Sequence, residues 1–204
     1  MSYEHDIFLS YQNDDAMASW VPDHLLPFMQ SFVGNAMNRP VSIFFDRNGI
    51  PAGDTWPLAL RNALTHSRCL VAVWNPLYFS SEWCRRECAV MLYREMRLGL
   101  RQNGSSEGLI VPINVFDGEH FPLRVRSIQY FDLRNYWISG PAFGTSALYV
   151  DFQIQLRNFA AQVAGAIRRA PSWQSRWQSA AWYNVDASDL QPPSIDNFDF
   201  PGLE

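Results

Sequence analysis

Short apolar runs spaced by helix-length segments fix the class of this chain. Asp6-Ile7-Phe8-Leu9-Ser10-Tyr11, Val41-Ser42-Ile43-Phe44-Phe45, Cys69-Leu70-Val71-Ala72-Val73-Trp74 and residues 109–115 are nearly continuous blocks of strand formers. A strand wetted on one side alternates; a continuous run is expected where both faces are covered. Segments with helical character occupy residues 17–36, 57–67, 83–100 and 148–169, and residues 128–131 form a short fifth strand. This alternation predicts an α/β fold, an open parallel sheet with helices on both faces. In such sheets ligands bind beyond the carboxyl ends of the strands. The loops after Tyr11, Phe45 and Trp74 form that expected rim. Pro22 and Pro27 perturb the first helix, Pro112 suggests a bulge or an edge in the fourth strand, and residues 75–81 read as a loop.

The length, 204 residues, suits one domain with an appendage. We expect a body over residues 1–170 and a separate segment over 171–204. With 48% hydrophobic and 18% charged residues the body has material for a sizeable core. No apolar run reaches the roughly 18–20 residues of a membrane span, and the polar start Met1-Ser2-Tyr3-Glu4-His5-Asp6 is no secretory signal. The expectation is a cytoplasmic protein without membrane contact. Three cysteines and four scattered histidines suggest neither a disulfide framework nor a metal set. Residues 1–170 hold 15 acids and 15 bases, so no electrostatic footprint for nucleic acid is expected. Residues 171–204 hold five acids and one base. There Trp173, Trp177 and Ala181 are spaced for one helix face. An acidic, proline-containing tail follows, which reads as flexible or docked on a partner. No glycine-rich phosphate loop of the Walker A or G-x-G-x-x-G kind occurs.

Two glutamates open the helix near Ser81. Glu82 has bland explanations: it lies in the first turn, where the helix dipole favours an acid, with Arg85 and Arg86 at i+3 and i+4. Glu87 has Trp83, Cys84, Val90 and Met91 at those spacings, and none is a base. On a helical wheel it borders the apolar stripe through Cys84, Cys88 and Leu92. A partly desolvated acid beside a large aromatic is a candidate functional group. The competing reading is a rim glutamate paired to an arginine elsewhere in the fold.

Four segments in order resemble the boxes of the TIR (Toll/interleukin-1 receptor) domain. Asp6-Ile7-Phe8-Leu9-Ser10-Tyr11 is similar to its first box. Phe44-Phe45-Asp46 with Gly49-Ile50-Pro51-Ala52-Gly53-Asp54 is similar to its second strand and BB loop. Residues 67–75 are similar to its third-strand segment. Ser80-Ser81-Glu82-Trp83-Cys84-Arg85-Arg86-Glu87 is similar to the S-x-W-C-x-x-E run of its enzymatic members. The resemblance is close over residues 3–132 and looser over the last helix. It implies a flavodoxin-like, five-stranded parallel sheet.

The resemblance also implies chemistry. Enzymatic members, including bacterial ones, cleave the nicotinamide–ribose bond of NAD+, here as substrate with no cofactor or metal. They carry a glutamate four residues after a tryptophan, as Glu87 follows Trp83. On this reading Glu87 is catalytic, and Ser10, Tyr11, Asp46, Trp56 and Trp83 contact the substrate. Gln12-Asn13 departs from the arginines that follow this box in the related neuronal enzymes. The products would be nicotinamide with ADP-ribose or a cyclic ADP-ribose messenger, in antiphage defence or immune signalling. Self-association through the BB loop, residues 46–56, and a partner or effector protein of a defence system are implied as well. The rival reading is a non-catalytic module that only associates with other TIR domains. A flavin-binding relative fits the sheet but lacks a Ser/Thr-rich phosphate loop after the first strand.

Overall fold

The structure is a computed structural model, and it describes residues 2–45, 58–101, 107–119, 121–138 and 140–192. Strand β1 (His5–Tyr11) lies between β2 (Ile43–Phe45) and β3 (Ser67–Trp74). Strands β4 (Ile110–Asn114) and β5 (Phe131–Asp132) complete a five-stranded, all-parallel sheet in the order β2-β1-β3-β4-β5. This is the flavodoxin-like order, with its switch point between β1 and β3. The continuous apolar runs are explained by burial on both faces. Ile7, Leu9, Val71 and Val73 pack under Met17, Met29, Val33, Phe152 and Phe159. Phe8, Leu70, Ala72 and Trp74 pack on the other face under Leu64, Tyr78, Phe79, Cys88 and Met91.

Helices cover both sides. On the first lie α1 (Asp15–Trp20), α2 (Leu26–Met37) and α7 (Ala147–Arg169); on the second, α3 (Leu58–Thr65), α4 (Pro76–Ser80), α5 (Glu82–Arg97) and α6 (Leu123–Arg126). The helix expected over residues 17–36 is therefore divided. Val21–Leu25 is a π-helical turn, closed by Leu26 N–H donating to Val21 C=O. Pro22 and Pro27 stand in the opening turns of the segments they begin, where a missing N–H is tolerated.

Residues 75–81 are not the loop the sequence suggested. Asn75 caps α4, its Oδ1 accepting Tyr78 N–H at 2.7 Å, and Pro76 takes the first helical position. Nor does Pro112 mark a bulge or an edge, since the β3–β4 register runs unbroken from Leu70↔Ile110 to Trp74↔Asn114. Val115 N–H donates to Trp74 C=O, so odd-numbered positions of β4 address β3. The Pro112 ring nitrogen faces the other side, where β5 begins to pair only at Ile113. The fifth strand starts at Phe131, because residues 123–126 are helical and Ile128 is drawn into the core.

Residues 171–192 form no single helix face. A 3-10 turn (Ser175–Gln178), α8 (Ala180–Tyr183) and a second 3-10 turn (Ser188–Leu190) lay Trp177, Trp182 and Leu190 onto the α3/α5/α6 side, all three buried. Tyr3 Oη donates to Pro171 C=O at 2.9 Å, Trp173 stacks on His66 at 5.0 Å, and Arg124 pairs with Asp189. Of the extended acidic tail expected after Asp186, residues 188–190 are instead a 3-10 turn docked through Leu190, and residues 193–204 lie outside the described residues. Among the described residues no helix is long and apolar enough to cross a membrane.

Candidate functional site

Three elements bring three side chains together at the carboxyl end of β1. Ser10 is the penultimate residue of β1, in register with Ala72 of β3. Its side chain points to the α5 face, as the period of two along a strand requires given Phe8 on that face. Helix α5 begins at its Ser81 cap, which accepts Cys84 N–H at 3.4 Å, and carries Glu87 inward. Glu87 is 7% exposed, and Ser10 Oγ donates to its Oε2 at 2.5 Å. Tyr78 of α4 places its phenol oxygen 2.9 Å from the same Ser10 Oγ. Ser10 and Tyr78 are buried as well.

The electrostatics around this cluster are those of a dry site. Burial, then the neighbouring Cys88, Cys84 and Glu87, push the Tyr78 phenol well above its ordinary pKa, with the Ser10 hydrogen bond opposing. Cys84 is raised by burial and then by Glu87, and Cys88 by burial and then by Glu95. All three cysteines are free, buried thiols. A carboxylate in such surroundings has few competing solvent partners, so its interaction with a developing positive charge is strong.

Trp83 lies one turn before Glu87. It belongs to neither core cluster and is half-buried, with the Arg86 guanidinium 5.7 Å above its ring. Arg86 also pairs with Glu82 at 2.7 Å, the i,i+4 partnership expected from their spacing. Arg85 has a role that the sequence did not signal: its Nη1 donates to the carbonyls of Phe79 and Ser80, closing the end of α4.

Of the residues singled out in the sequence, Ser10 and Glu87 meet, and Trp83 flanks them. Tyr11 points to the opposite face of the sheet, where it packs against the α1/α2/α7 core. Asp46, Trp56 and the BB loop between them lie outside the described residues. Among the described residues no group of three or more His, Cys, Asp or Glu is placed to hold a metal ion.

Two buried charges that the sequence did not flag pin α5. Arg94, 1% exposed, donates to the carbonyls of Ser67 at 2.8 Å and of Leu64 and Thr65 at 3.3 Å. It thereby caps the end of α3, and Trp177 lies 4.4 Å from its guanidinium. Burial lowers its pKa to about 10, with Tyr3 opposing, so it stays cationic at neutral pH. Glu95 accepts the N–H groups of Leu109 and Ile110 at 2.5 and 2.8 Å and pairs with Arg101 at 2.6 Å. No pairwise rule on a helix wheel reveals either residue, because their partners lie outside α5 and are mostly backbone groups.

The sequence model of the family described as "TIR domain" matches residues 7–144. The chain belongs to the TIR domain family. Two solved structures are similar to this TIR domain. The TIR domains of the activated Roq1 resistosome that recognises the pathogen effector XopQ are 19% identical, over 79% of this chain and 84% of that one, with a TM-score of 0.37. The TIR domain of the Toll-related receptor TRR-2 from Hydra magnipapillata is 16% identical, over 76% of this chain and 99% of that one, with a TM-score of 0.43. No curated protein sequence matches the chain.

Proposed function

We propose that this TIR domain cleaves the nicotinamide–ribose bond of NAD+, with Glu87 as the catalytic carboxylate. One observation carries the reading. A glutamate is buried at the carboxyl end of β1, held by Ser10, beside the switch point of a parallel sheet. The reaction breaks the bond between ribose C1′ and the pyridinium nitrogen. The electron pair leaves with the nitrogen, giving neutral nicotinamide and an oxocarbenium-like ribose. Glu87 accepts hydrogen bonds from ribose hydroxyls and stabilises the positive charge that develops at the sugar. Trp83, half-buried and one turn away, supplies a flat apolar surface for the nicotinamide or ribose. Attack of water at C1′ gives ADP-ribose and a proton; attack of an adenine nitrogen gives a cyclic ADP-ribose.

Asp46 and Trp56 complete the proposed substrate contacts, while Tyr11, with its side chain on the opposite face of the sheet, borders the site only at the end of β1. We assign activity to an assembly joined by TIR–TIR contacts through the BB loop. The bacterial-type enzymatic subclass, a place in antiphage defence or immune signalling, and a partner protein that triggers the assembly belong to the same proposal. The test is chromatography of the products from NAD+ incubated with concentrated protein. Nicotinamide with ADP-ribose or its cyclic form is expected. No nicotinamide at any concentration, even in forced assemblies, would leave the chain as an interaction module.

A further inference from the structure

Tyr78 has no part in the sequence reading, yet its buried phenol lies 2.9 Å from Ser10 Oγ, which lies 2.5 Å from Glu87 Oε2. A hydroxyl donates one proton and accepts through two lone pairs. When Ser10 gives its proton to Glu87, the short Tyr78–Ser10 contact requires the phenol as donor. The chain of donors then runs from Tyr78 O–H to Ser10 Oγ and from Ser10 O–H to Glu87. We propose that Tyr78 is a positioning residue: through Ser10 it aims one hydroxyl proton at Glu87 Oε2 and holds the carboxylate ionised in one orientation. This rests on the reading of Glu87 as the working carboxylate, but the relay is measurable without turnover.

Each member of the relay is placed by a different element, so the alignment is built into the fold. The Asn75 cap and Pro76 start α4 and set Tyr78, the β1–β3 register sets Ser10, and the Ser81 cap sets Glu87. The Tyr78 ring also packs edge-on against Phe79 at 5.1 Å. A phenylalanine would keep that packing and lose only the hydroxyl. Tyr78 from α4, and Cys84 and Cys88 from α5 itself, are titratable groups that feel the Glu87 charge. Ser10, from β1, carries no charge. Burial moves both thiols and the phenol away from ionisation, so all three remain neutral while a carboxylate titrates.

The test is a carbon-13 NMR titration of the Glu87 side-chain carboxyl, with thermal unfolding of every variant. The set is the natural protein, Tyr78→Phe, Ser10→Thr, Ser10→Ala and the Ser10→Ala/Tyr78→Phe pair. A hydrogen bond donated to a carboxylate favours its charged form, so losing one raises the titration midpoint. Ser10→Ala should raise it by about one pH unit or more. Tyr78→Phe, acting one bond further out, should raise it by a few tenths of a pH unit. Ser10→Thr, which keeps the hydroxyl, should restore the natural midpoint. Adding Tyr78→Phe to Ser10→Ala should change nothing further, because the link is gone. An unchanged or lowered midpoint in Tyr78→Phe would overturn the proposal; a lowered one means the donors run from a protonated Glu87 toward Tyr78. An equal shift in both serine backgrounds would overturn it too, since the phenol would then act without Ser10. Nicotinamide release by the same proteins separates the two readings: kcat should fall in Tyr78→Phe with KM unchanged. The expected midpoint shifts without any release by the natural protein would keep the relay and end the NAD+ reading.

Discussion

At the scale of single residues, two acids five positions apart on α5 differ in what surrounds them. Glu82 is exposed and paired to Arg86, an arrangement worth only a few tenths of a kcal/mol. Glu87 is 7% exposed and bonded across the fold to β1. Their sequence neighbours were enough to separate them. Tyr78 was not legible, because a phenol's polar partner 68 positions away leaves no local trace. Asp6 offers a pH test. Burial alone would raise its carboxyl, but the Arg39 hydrogen bonds, the Ser42 N–H and the charges of Arg39 and Arg68 hold it below the ordinary range. A lowered acid stabilises the fold above its unfolded pKa, about 4, and that contribution is lost as pH falls through the folded value. Denaturant titrations between pH 6 and 3 should therefore show a smaller loss of stability in Asp6→Asn than in the natural protein. Gly108 offers a steric test. A Cβ there would lie 2.1 Å from Glu95 Oε1 and 2.4 Å from Arg101 Nε, groups fixed by their own hydrogen bonds. Gly108→Ala should cost about 2–3 kcal/mol of unfolding free energy in urea.

At the scale of elements, α5 is the frame of the site. The sequence showed its apolar stripe, and the helix runs close to the expected span. What fixes its position was hidden, since Arg94 and Glu95 address the carbonyls and amides of α3, β3 and β4. Helix α4 was missed for a different reason. Five residues are too few to show a period, although the Asn75 cap and Pro76 are helix-start signals. Trp177 seals Arg94 from outside. Trp177→Ala should cost about 3–5 kcal/mol, read as a lowered urea midpoint, by opening a cavity above a buried cation. The thiols test the packing of α5 and β3 directly. Cys69, Cys84 and Cys88 are buried and raised by burial, so a thiol reagent should leave them unlabelled in the native protein and label all three in denaturant.

At the scale of the whole molecule, the continuous apolar runs disclosed a sheet covered on both faces, and its flavodoxin-like order came from the resemblance those runs support. The C-terminal segment was the least legible part. Its tryptophans read as one amphipathic helix, whereas residues 171–192 follow the α3/α5/α6 surface in short turns and bury Trp177, Trp182 and Leu190. Their apolar spacing matches the surface they cover, and that surface cannot be read from the segment alone. The chemistry proposed for this TIR domain stands on Glu87. Nicotinamide release from NAD+ by concentrated, folded protein, compared with Glu87→Gln and Glu87→Ala, measures that most directly. The expected result is turnover by the natural protein and a loss of at least about a hundredfold in both variants at unchanged fold. Full turnover in both folded variants would contradict it.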